Sequence, residues 1–281
     1  MDLRKIKTVF IVVLIIINIL LTSVLHNTHS REREIENETG SSVSYFLQKN
    51  MIDLAPKLSL PKSPRIYNFY LERMSESNEM FVNRFLEGGY TDVGGGVYKK
   101  GDKTLTVGGN EFKLEIPNPG QTVENLNAKA VEELCRKKMD SLGINPDYYK
   151  FGGMNFIDNN VKVIFTLQYD DSVFFDAYIS FDVTNQGIIS ITGKNLISDI
   201  TASGRSAAYI SIGSVLMDII KNPLLDKNKR HTIVSIKSGY YIGGDDGDYR
   251  NILAIPVWQI ATDSGSILYY DARNGNAVSE K

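Results

Sequence analysis

An uncharged apolar run close to the start of the chain, residues 8–25, constrains this sequence more than any other feature. It reads TVFIVVLIIINILLTSVL and contains 18 residues. An α-helix rises about 1.5 Å per residue, so a helix of this length spans roughly 27 Å and matches the hydrocarbon core of a bilayer. None of its faces is polar, which argues against a helix packed on a soluble core. We therefore predict a transmembrane helix over residues 8–25.

The residues on either side of this run predict its orientation. Arg4, Lys5 and Lys7 precede it, and the positive-inside rule keeps such residues in the cytoplasm. Residues 1–7 are therefore predicted to be cytoplasmic and the C-terminal region extracytoplasmic, as in a single-pass protein of the cell membrane. A cleaved signal peptide is the alternative, although residues 21–26 offer no cleavage site of the A-x-A kind.

The composition excludes several classes of function. With 42% hydrophobic residues the chain of 281 residues is not wholly disordered, and a net charge of −2 provides no basic face for nucleic acid.

The single cysteine, Cys135, can form neither an internal disulfide nor a thiolate metal cage. We interpret it as core filler in a helix, with a reactive thiol as the alternative. The histidines, His26, His29 and His231, lack zinc-binding spacing. We predict neither a metal site nor a cofactor.

Three short motifs resemble chemical sites, but the sequence around each argues against it. Ser59 and Lys62 match the S-x-x-K of penicillin-recognising enzymes, yet Pro61 between them disfavours the helix that this chemistry requires. The glycines at 94–96 lack the spacing of a phosphate-binding loop, and residues 243–248 (GGDDGD) lack the glutamate of a calcium loop. No catalytic constellation remains, and we predict that the protein is not an enzyme.

The rest of the chain repeats one order of elements, a helix followed by antiparallel strands, after a stalk and linker predicted at 26–64. The first unit, 65–120, has a helical pattern at 75–86 and a hairpin pattern at 103–116. The second unit, 121–200, has a helical pattern after Thr122, a plausible N-cap, and Gly143 suits the left-handed position at its end.

Two further stretches support an α+β fold. Residues 161–169 and 173–183 alternate strictly between apolar and polar, which predicts antiparallel strands with one buried face. The third unit, 201–281, has a helical pattern at 208–219 and strand patterns at 232–241, 252–262 and 266–271. We predict helices packed on one face of antiparallel sheets, in three subdomains; one irregular α+β domain is the alternative.

Two features at the ends of the chain complete the pattern. Asn18 is the one amide inside the apolar run, and in lipid such a group favours a partner on a second membrane helix. The last strands form an aromatic hairpin in which Trp258 and Tyr269 are predicted to be buried, and Pro256 predicts an edge strand or a bulge.

These features together resemble the YycH/YycI family of Gram-positive bacteria. The resemblance rests on Met1-Asp2, Lys5 and Lys7-Thr8, on Ile17-Asn18 in the apolar run, and on the closing residues 255–258 and 269–271. The final hairpin also resembles PepSY-like modules, which consist of helix-plus-antiparallel-sheet units.

The resemblance implies a function without catalysis. It implies an accessory regulator of the WalK/WalR (YycG/YycF) two-component system, which controls cell-wall metabolism. Such a protein acts on the sensor histidine kinase through contacts between membrane helices, together with a YycH-like protein, and a homodimer is also possible. We predict Asn18 as the partner-binding residue. An extracytoplasmic PepSY-type module that binds or inhibits cell-wall enzymes or proteases is the alternative.

Overall fold

The structure, a computed structural model, describes residues 41–61, 67–74, 78–120, 123, 126–157, 160–205, 210–222, 225–226, 228–243 and 252–278. The predicted cytoplasmic residues 1–7, the predicted transmembrane helix with Asn18, and the first part of the stalk lie outside these ranges. In the described part of the chain, no helix is both long and apolar enough to cross a bilayer.

The described elements are four α-helices, one 3-10 turn and sixteen strands. The helices are α1 (41–49), α2 (Asn78–Leu86), α3 (Ala128–Ser141) and α4 (Ile212–Asp218), and the 3-10 turn Ile219–Lys221 follows α4. The first eight strands are β1 (Ile52–Leu54), β2 (Tyr67–Arg73), β3 (Thr91–Gly94), β4 (Val97–Lys100), β5 (Lys103–Gly108), β6 (Glu111–Glu115), β7 (Tyr149–Ile157) and β8 (Asn160–Tyr169). The last eight are β9 (Ser172–Thr184), β10 (Gly187–Lys194), β11 (Ile197–Arg205), β12 (His231–Tyr241), β13 (Ile252–Leu253), β14 (Ile255–Thr262), β15 (Ile267–Asp271) and β16 (Ala277–Val278).

Helix α3 shows how local sequence sets an element. Its N-cap is Asn127, whose side chain accepts a hydrogen bond from the Ala130 N–H; the helix therefore begins later than a Thr122 cap predicted. Its end matches the prediction, because Gly143 has φ +68° and its N–H donates to the Asp140 carbonyl. The Ile144 N–H donates to the Met139 carbonyl, so the two bonds together form a Schellman motif.

Thirteen of the described strands form one connected sheet with two arms. The large arm has the order β7-β8-β9-β10-β6-β5-β4-β3, and all its pairings are antiparallel. The small arm has the order β12-β14-β15-β16, and β1 pairs in parallel with the first residues of β12. One parallel contact, Tyr240 opposite Phe174, joins β12 to β9 and so connects the arms. Two pairings thus depart from the purely antiparallel prediction.

Strand β9 is long because it serves both arms. Its second half pairs with β8 and β10, and there Ala177, Ile179, Phe181 and Val183 are buried as the alternation predicted. In its first half the buried residues are Phe174 and Asp176 on the opposite face, whereas Val173 and Phe175, which the alternation predicted to be buried, are half-buried. The prediction of one buried face therefore fails at this end, because a second layer covers it.

That layer is a separate three-stranded sheet of order β11-β2-β13. Its strands come from distant parts of the sequence and pair antiparallel. On the inner face of β2, Phe69 and Leu71 are buried, and the Phe69 ring meets the Phe174 ring edge-on at 5.5 Å between centroids. This contact accounts for the burial of Phe174 on the face of β9 that was predicted to be exposed.

The helices cover the arms of the main sheet. Phe85 of α2 contacts Phe112 of β6, with ring centroids 4.7 Å apart, and the Arg136 guanidinium of α3 lies over the Phe165 ring of β8 at 5.3 Å. Next to α4, the Trp258 indole N–H donates to the Ile210 carbonyl. The predicted α+β class is confirmed, whereas the division into subdomains at 65, 121 and 201 stays a prediction.

The closing hairpin corrects two predictions. Trp258 is buried as predicted, but Tyr270 rather than Tyr269 is its buried partner; Tyr269 lies on the opposite face and is half-buried. Pro256 belongs to neither an edge nor a bulge, since β14 pairs with both β12 and β15. It is the second residue of β14, directly after the chain leaves the three-stranded sheet at Ala254.

Candidate functional site

The motifs that the sequence suggested do not form a common site. Ser59 is described in an irregular segment, whereas Lys62 lies outside the described residues. The glycines at 94–96 form the turn between β3 and β4, and of residues 243–248 only Gly243 is described. Asn18, the predicted partner-binding residue, also lies outside the described residues.

Cys135 lies in the core, as its interpretation as core filler required. The side chain faces inward from α3 and is fully buried. Burial disfavours the thiolate and raises the thiol pKa to about 12. Because the thiolate is the reactive form, the folded protein offers no reactive thiol here.

The junction of the two arms brings polar and aromatic groups together beside open space. A cleft of about 760 Å³ lies where β2, the β8–β9 turn and the end of β12 meet. Asp170 and Asp171 of the β8–β9 turn stand at its rim, and neither is buried. Its other described lining residues are Tyr67, Phe69, Ser172, Ser238, Gly239, Tyr240, Val257 and Ala272.

Aromatic rings pack against one another in the wall of the cleft. The ring of Tyr240 packs edge-on against Phe69, with 4.8 Å between centroids, and stacks on Phe174 at 5.3 Å. The Tyr240 hydroxyl accepts a hydrogen bond from the Tyr67 N–H at 2.9 Å and donates to the Tyr67 carbonyl at 3.1 Å. This side chain of β12 therefore ties the start of β2 to the main sheet.

Gly239 permits the close approach of the two arms. A Cβ atom at this position would lie 2.6 Å from the Val173 carbonyl oxygen and 2.6 Å from the Phe175 ring. Only glycine leaves room for β9 to pass this close to β12.

A buried carboxylate lies on the other side of the junction. Asp176 of β9 is 5% exposed, and its Oδ1 accepts a hydrogen bond from the Ile242 N–H at 2.8 Å. Its Oδ2 accepts from the Gly243 N–H at 3.1 Å and from the side-chain amide of Asn195 at 3.1 Å. Asn195, which lies between β10 and β11, has φ +48° and is 1% exposed. Three separate backbone segments thus meet at one carboxylate.

Burial dominates the acid–base behaviour of this carboxylate. It raises the pKa of Asp176 to about 6, although the hydrogen bonds from the Ile242 and Gly243 N–H groups favour the anion and oppose the rise. Lys194, which lies 3.2 Å from Glu111 in an ion pair, also favours the anion.

This junction was not predicted from the sequence. The only sign of it in the sequence is the carboxylate of Asp176, which lies on the face of β9 that was predicted to be exposed. A carboxylate at such a position is ordinary in a half-buried strand, so the sequence alone gave no reason to single it out.

Comparisons with known proteins place the chain in one family. The family model described as YycI protein matches residues 33–273. A comparison with curated proteins gave no match. Among solved structures, an uncharacterized protein from Eubacterium rectale is similar with a TM-score of 0.49 and 10% identity, over 82% of this chain and 90% of that chain. The C-terminal domain of YpeB from Bacillus megaterium is similar with a TM-score of 0.36 and 10% identity, over 75% of this chain and 97% of that chain.

Proposed function

The chain belongs to the YycI family, and on this basis we propose that it is a membrane-anchored, extracytoplasmic regulator of a sensor histidine kinase that controls cell-wall metabolism. The family associates the chain with accessory regulation of the WalK/WalR system. The observation that carries the proposal is the extent of the match, which runs over residues 33–273 and so covers nearly everything after the predicted transmembrane helix.

The sequence supports the membrane part of the proposal. The apolar run 8–25 closely precedes the matched region, and Arg4, Lys5 and Lys7 before it favour a cytoplasmic N-terminus. The described α+β region would then stand outside the cell beside the extracytoplasmic part of the kinase.

We propose that regulation works by contact between proteins and not by catalysis. The partners would be the kinase and a YycH-like protein, and one contact would run through the transmembrane helix with Asn18 on the partner-facing side. A homodimer is an alternative assembly.

The test combines genetics with recovery of the complex from membranes. Deletion of the gene should change expression of the kinase's target genes, and the full chain supplied in trans should restore it. The tagged full chain should recover the kinase from solubilised membranes, and a reporter fused after Lys281 should be active only outside the cytoplasm. Unchanged target genes together with recovery of a cell-wall enzyme or protease in place of the kinase would support the PepSY-type alternative and overturn the proposal.

A further inference from the structure

The cleft at the junction of the two arms carries negative charge that no described residue neutralises by contact. Asp170 and Asp171 form the turn between β8 and β9, and both are exposed at the rim of the cleft. Their carboxylates form no ion pair and no hydrogen bond with the described residues. Arg273, which follows the lining residue Ala272, is already paired with Asp271 at 2.6 Å. The rim therefore attracts a positively charged group from outside the fold.

The surface of the cleft suits the long side chain of a lysine or an arginine. Tyr67 of β2 is 37% exposed where it lines the cleft, and the face of a tyrosine ring attracts a cation. Gly239 of β12 also lines the cleft and fills none of it with a side chain. Lysine and arginine combine an apolar stem with a charged head, so the stem can lie against the ring while the head reaches Asp170 and Asp171.

The cleft also has space and polar groups for the backbone on either side of such a side chain. Its volume of about 760 Å³ is typical of sites that hold ligands larger than one side chain. Ser172 of β9 and Ser238 of β12 line it and are half-buried, and their hydroxyl groups form no hydrogen bond with the described residues. Because a hydroxyl group both donates and accepts, the two can bond to the N–H and carbonyl groups of an extended peptide. A small free amine would leave both the space and these groups unused.

We propose that the cleft binds an extended peptide segment of a partner protein, which inserts a lysine or arginine side chain between Tyr67 and the carboxylates of Asp170 and Asp171. All three parts of the fold contribute to this site. Tyr67 belongs to the three-stranded sheet, the β8–β9 turn to the large arm, and Ser238 and Gly239 to the small arm. A bound segment therefore bridges the two arms and the sheet beside them.

This inference goes beyond the proposed function, because the peptide site is a property of the folded chain. Assignment of the segment to the sensor kinase rests on the proposed function, whereas the binding measurement uses no kinase. Loss of peptide binding would leave the kinase proposal standing, and failure of the kinase proposal would leave the peptide site measurable.

Fluorescence anisotropy with the full chain in nanodiscs tests the site, with zwitterionic lipid so that the bilayer does not attract the probe. The probe is the labelled peptide Gly-Ser-Arg-Lys-Ser-Gly, and the matched peptide Gly-Ser-Gln-Gln-Ser-Gly replaces the two cations by neutral amides. We expect saturable binding of the cationic probe, about tenfold or more tighter than that of the neutral one, and weaker at high salt. Unlabelled cationic peptide should displace the probe, whereas free lysine at the same concentration should not.

Variants of the full chain place the binding in the cleft. The double variant Asp170→Asn with Asp171→Asn should weaken binding about tenfold, because it removes two ion pairs of ordinary exposed strength. Tyr67→Leu keeps an apolar side chain but removes the aromatic face, and it should weaken binding about threefold. The matched control is Asp140→Asn with Asp147→Asn, since both carboxylates are exposed and lie outside the cleft; it should keep the wild-type affinity.

The two double variants change exposed side chains alone, so they decide the question even if Tyr67→Leu does not fold. Equal affinity of the cationic and neutral probes for the wild type would overturn the proposal. Equal effects of the two double variants, unchanged affinity in a folded Tyr67→Leu variant, or displacement by free lysine as effective as by the peptide would do the same.

Discussion

Gly239 determines how closely β9 and β12 approach each other. The Cβ atom of an alanine here would lie 2.6 Å from the Val173 carbonyl oxygen, which is backbone and cannot rotate away. We expect Gly239→Ala to lower the free energy of unfolding by about 1–3 kcal/mol, as overpacking typically does. Chemical denaturation of the full chain, followed by circular dichroism, measures the change.

Gly108→Ala provides the matched control for this substitution. Gly108 also lies in a strand, and no atom lies within 4 Å of the position that a Cβ atom would take there. Its replacement should change stability by no more than about 0.5 kcal/mol. Equal effects of the two substitutions would show that the close approach at Gly239 has no energetic consequence.

Single residues also show where sequence reasoning fails. The alternation of apolar and polar residues correctly predicted which residues are buried in β8 and in the second half of β9, because one face of each strand packs against the helices there. It missed Phe174 and Asp176, since the groups that contact them are distant in sequence: Phe69 of β2 packs on Phe174, and Ile242 and Gly243 donate hydrogen bonds to Asp176. The alternation also predicted that Tyr269 is buried, whereas Tyr270 is the buried residue. With two adjacent tyrosines, the sequence does not determine which one faces the core until the pairing of the strand is known.

Helix α3 depends on Asn127 for its N-terminal cap. The side chain of Asn127 accepts from the Ala130 N–H at 2.9 Å, and the helix has no acidic residue in its first turn to replace that contact. We expect Asn127→Ala to destabilise the protein by about 1 kcal/mol. Thermal and chemical unfolding of the full chain provide the measurement.

Asn127→Asp tests whether this cost comes from the cap. Aspartate offers an oxygen in the same place and adds a favourable charge at the helix N-terminus, so this variant should keep or slightly exceed the wild-type stability. A loss of stability in Asn127→Asp as large as in Asn127→Ala would mean that the amide acts through some other contact.

Elements with a local cause were predicted well from the sequence. The end of α3 follows from Gly143, and the β5–β6 hairpin follows from the glycines at 108–109 with Asn110. The three-stranded sheet has no local cause, because β2, β11 and β13 are brought together only by the complete fold. The Asp176 junction was beyond prediction for the same reason: its partners Asn195, Ile242 and Gly243 are distant in sequence.

The stability of the whole molecule should depend on pH through Asp176. Its pKa in the folded state is about 6, above the value of about 3.9 for an exposed aspartate, so the folded state binds more protons between these values. The resulting stabilisation is complete below about pH 4 and disappears as the pH rises through about 6. It amounts to about 2–3 kcal/mol, since one pKa unit corresponds to about 1.36 kcal/mol.

Comparison with Asp176→Asn isolates this contribution from those of the other carboxylates. The difference in unfolding free energy between wild type and Asp176→Asn should become less favourable to the wild type by about 2 kcal/mol from pH 4.5 to pH 7. Relief of the buried charge thus raises global stability in acid. A difference that stays constant with pH would mean that Asp176 titrates as an exposed group does.

The last prediction concerns the association of the whole protein with its kinase in the membrane. A helix in lipid gains nothing from the hydrophobic effect when it meets another helix, so packing and polar bonds supply the association energy. An interhelical bond from Asn18 contributes about 0.6–2 kcal/mol, which corresponds to a roughly three- to thirtyfold change in association. Asn18→Leu should therefore weaken recovery of the kinase without abolishing it, and insertion and folding of the α+β region should be unchanged.

Replacement of residues 8–25 by an unrelated transmembrane helix should have a larger effect, because it removes the whole packing surface while it keeps the protein anchored. Two-hybrid association in membranes and expression of the kinase's target genes measure both changes. Ile17→Leu is the matched control, since it alters the residue beside Asn18 but leaves the helix apolar and the amide in place. Normal regulation by the protein with the exchanged helix would transfer the kinase contact to the α+β region, and the junction of its two arms would then be the first surface to test.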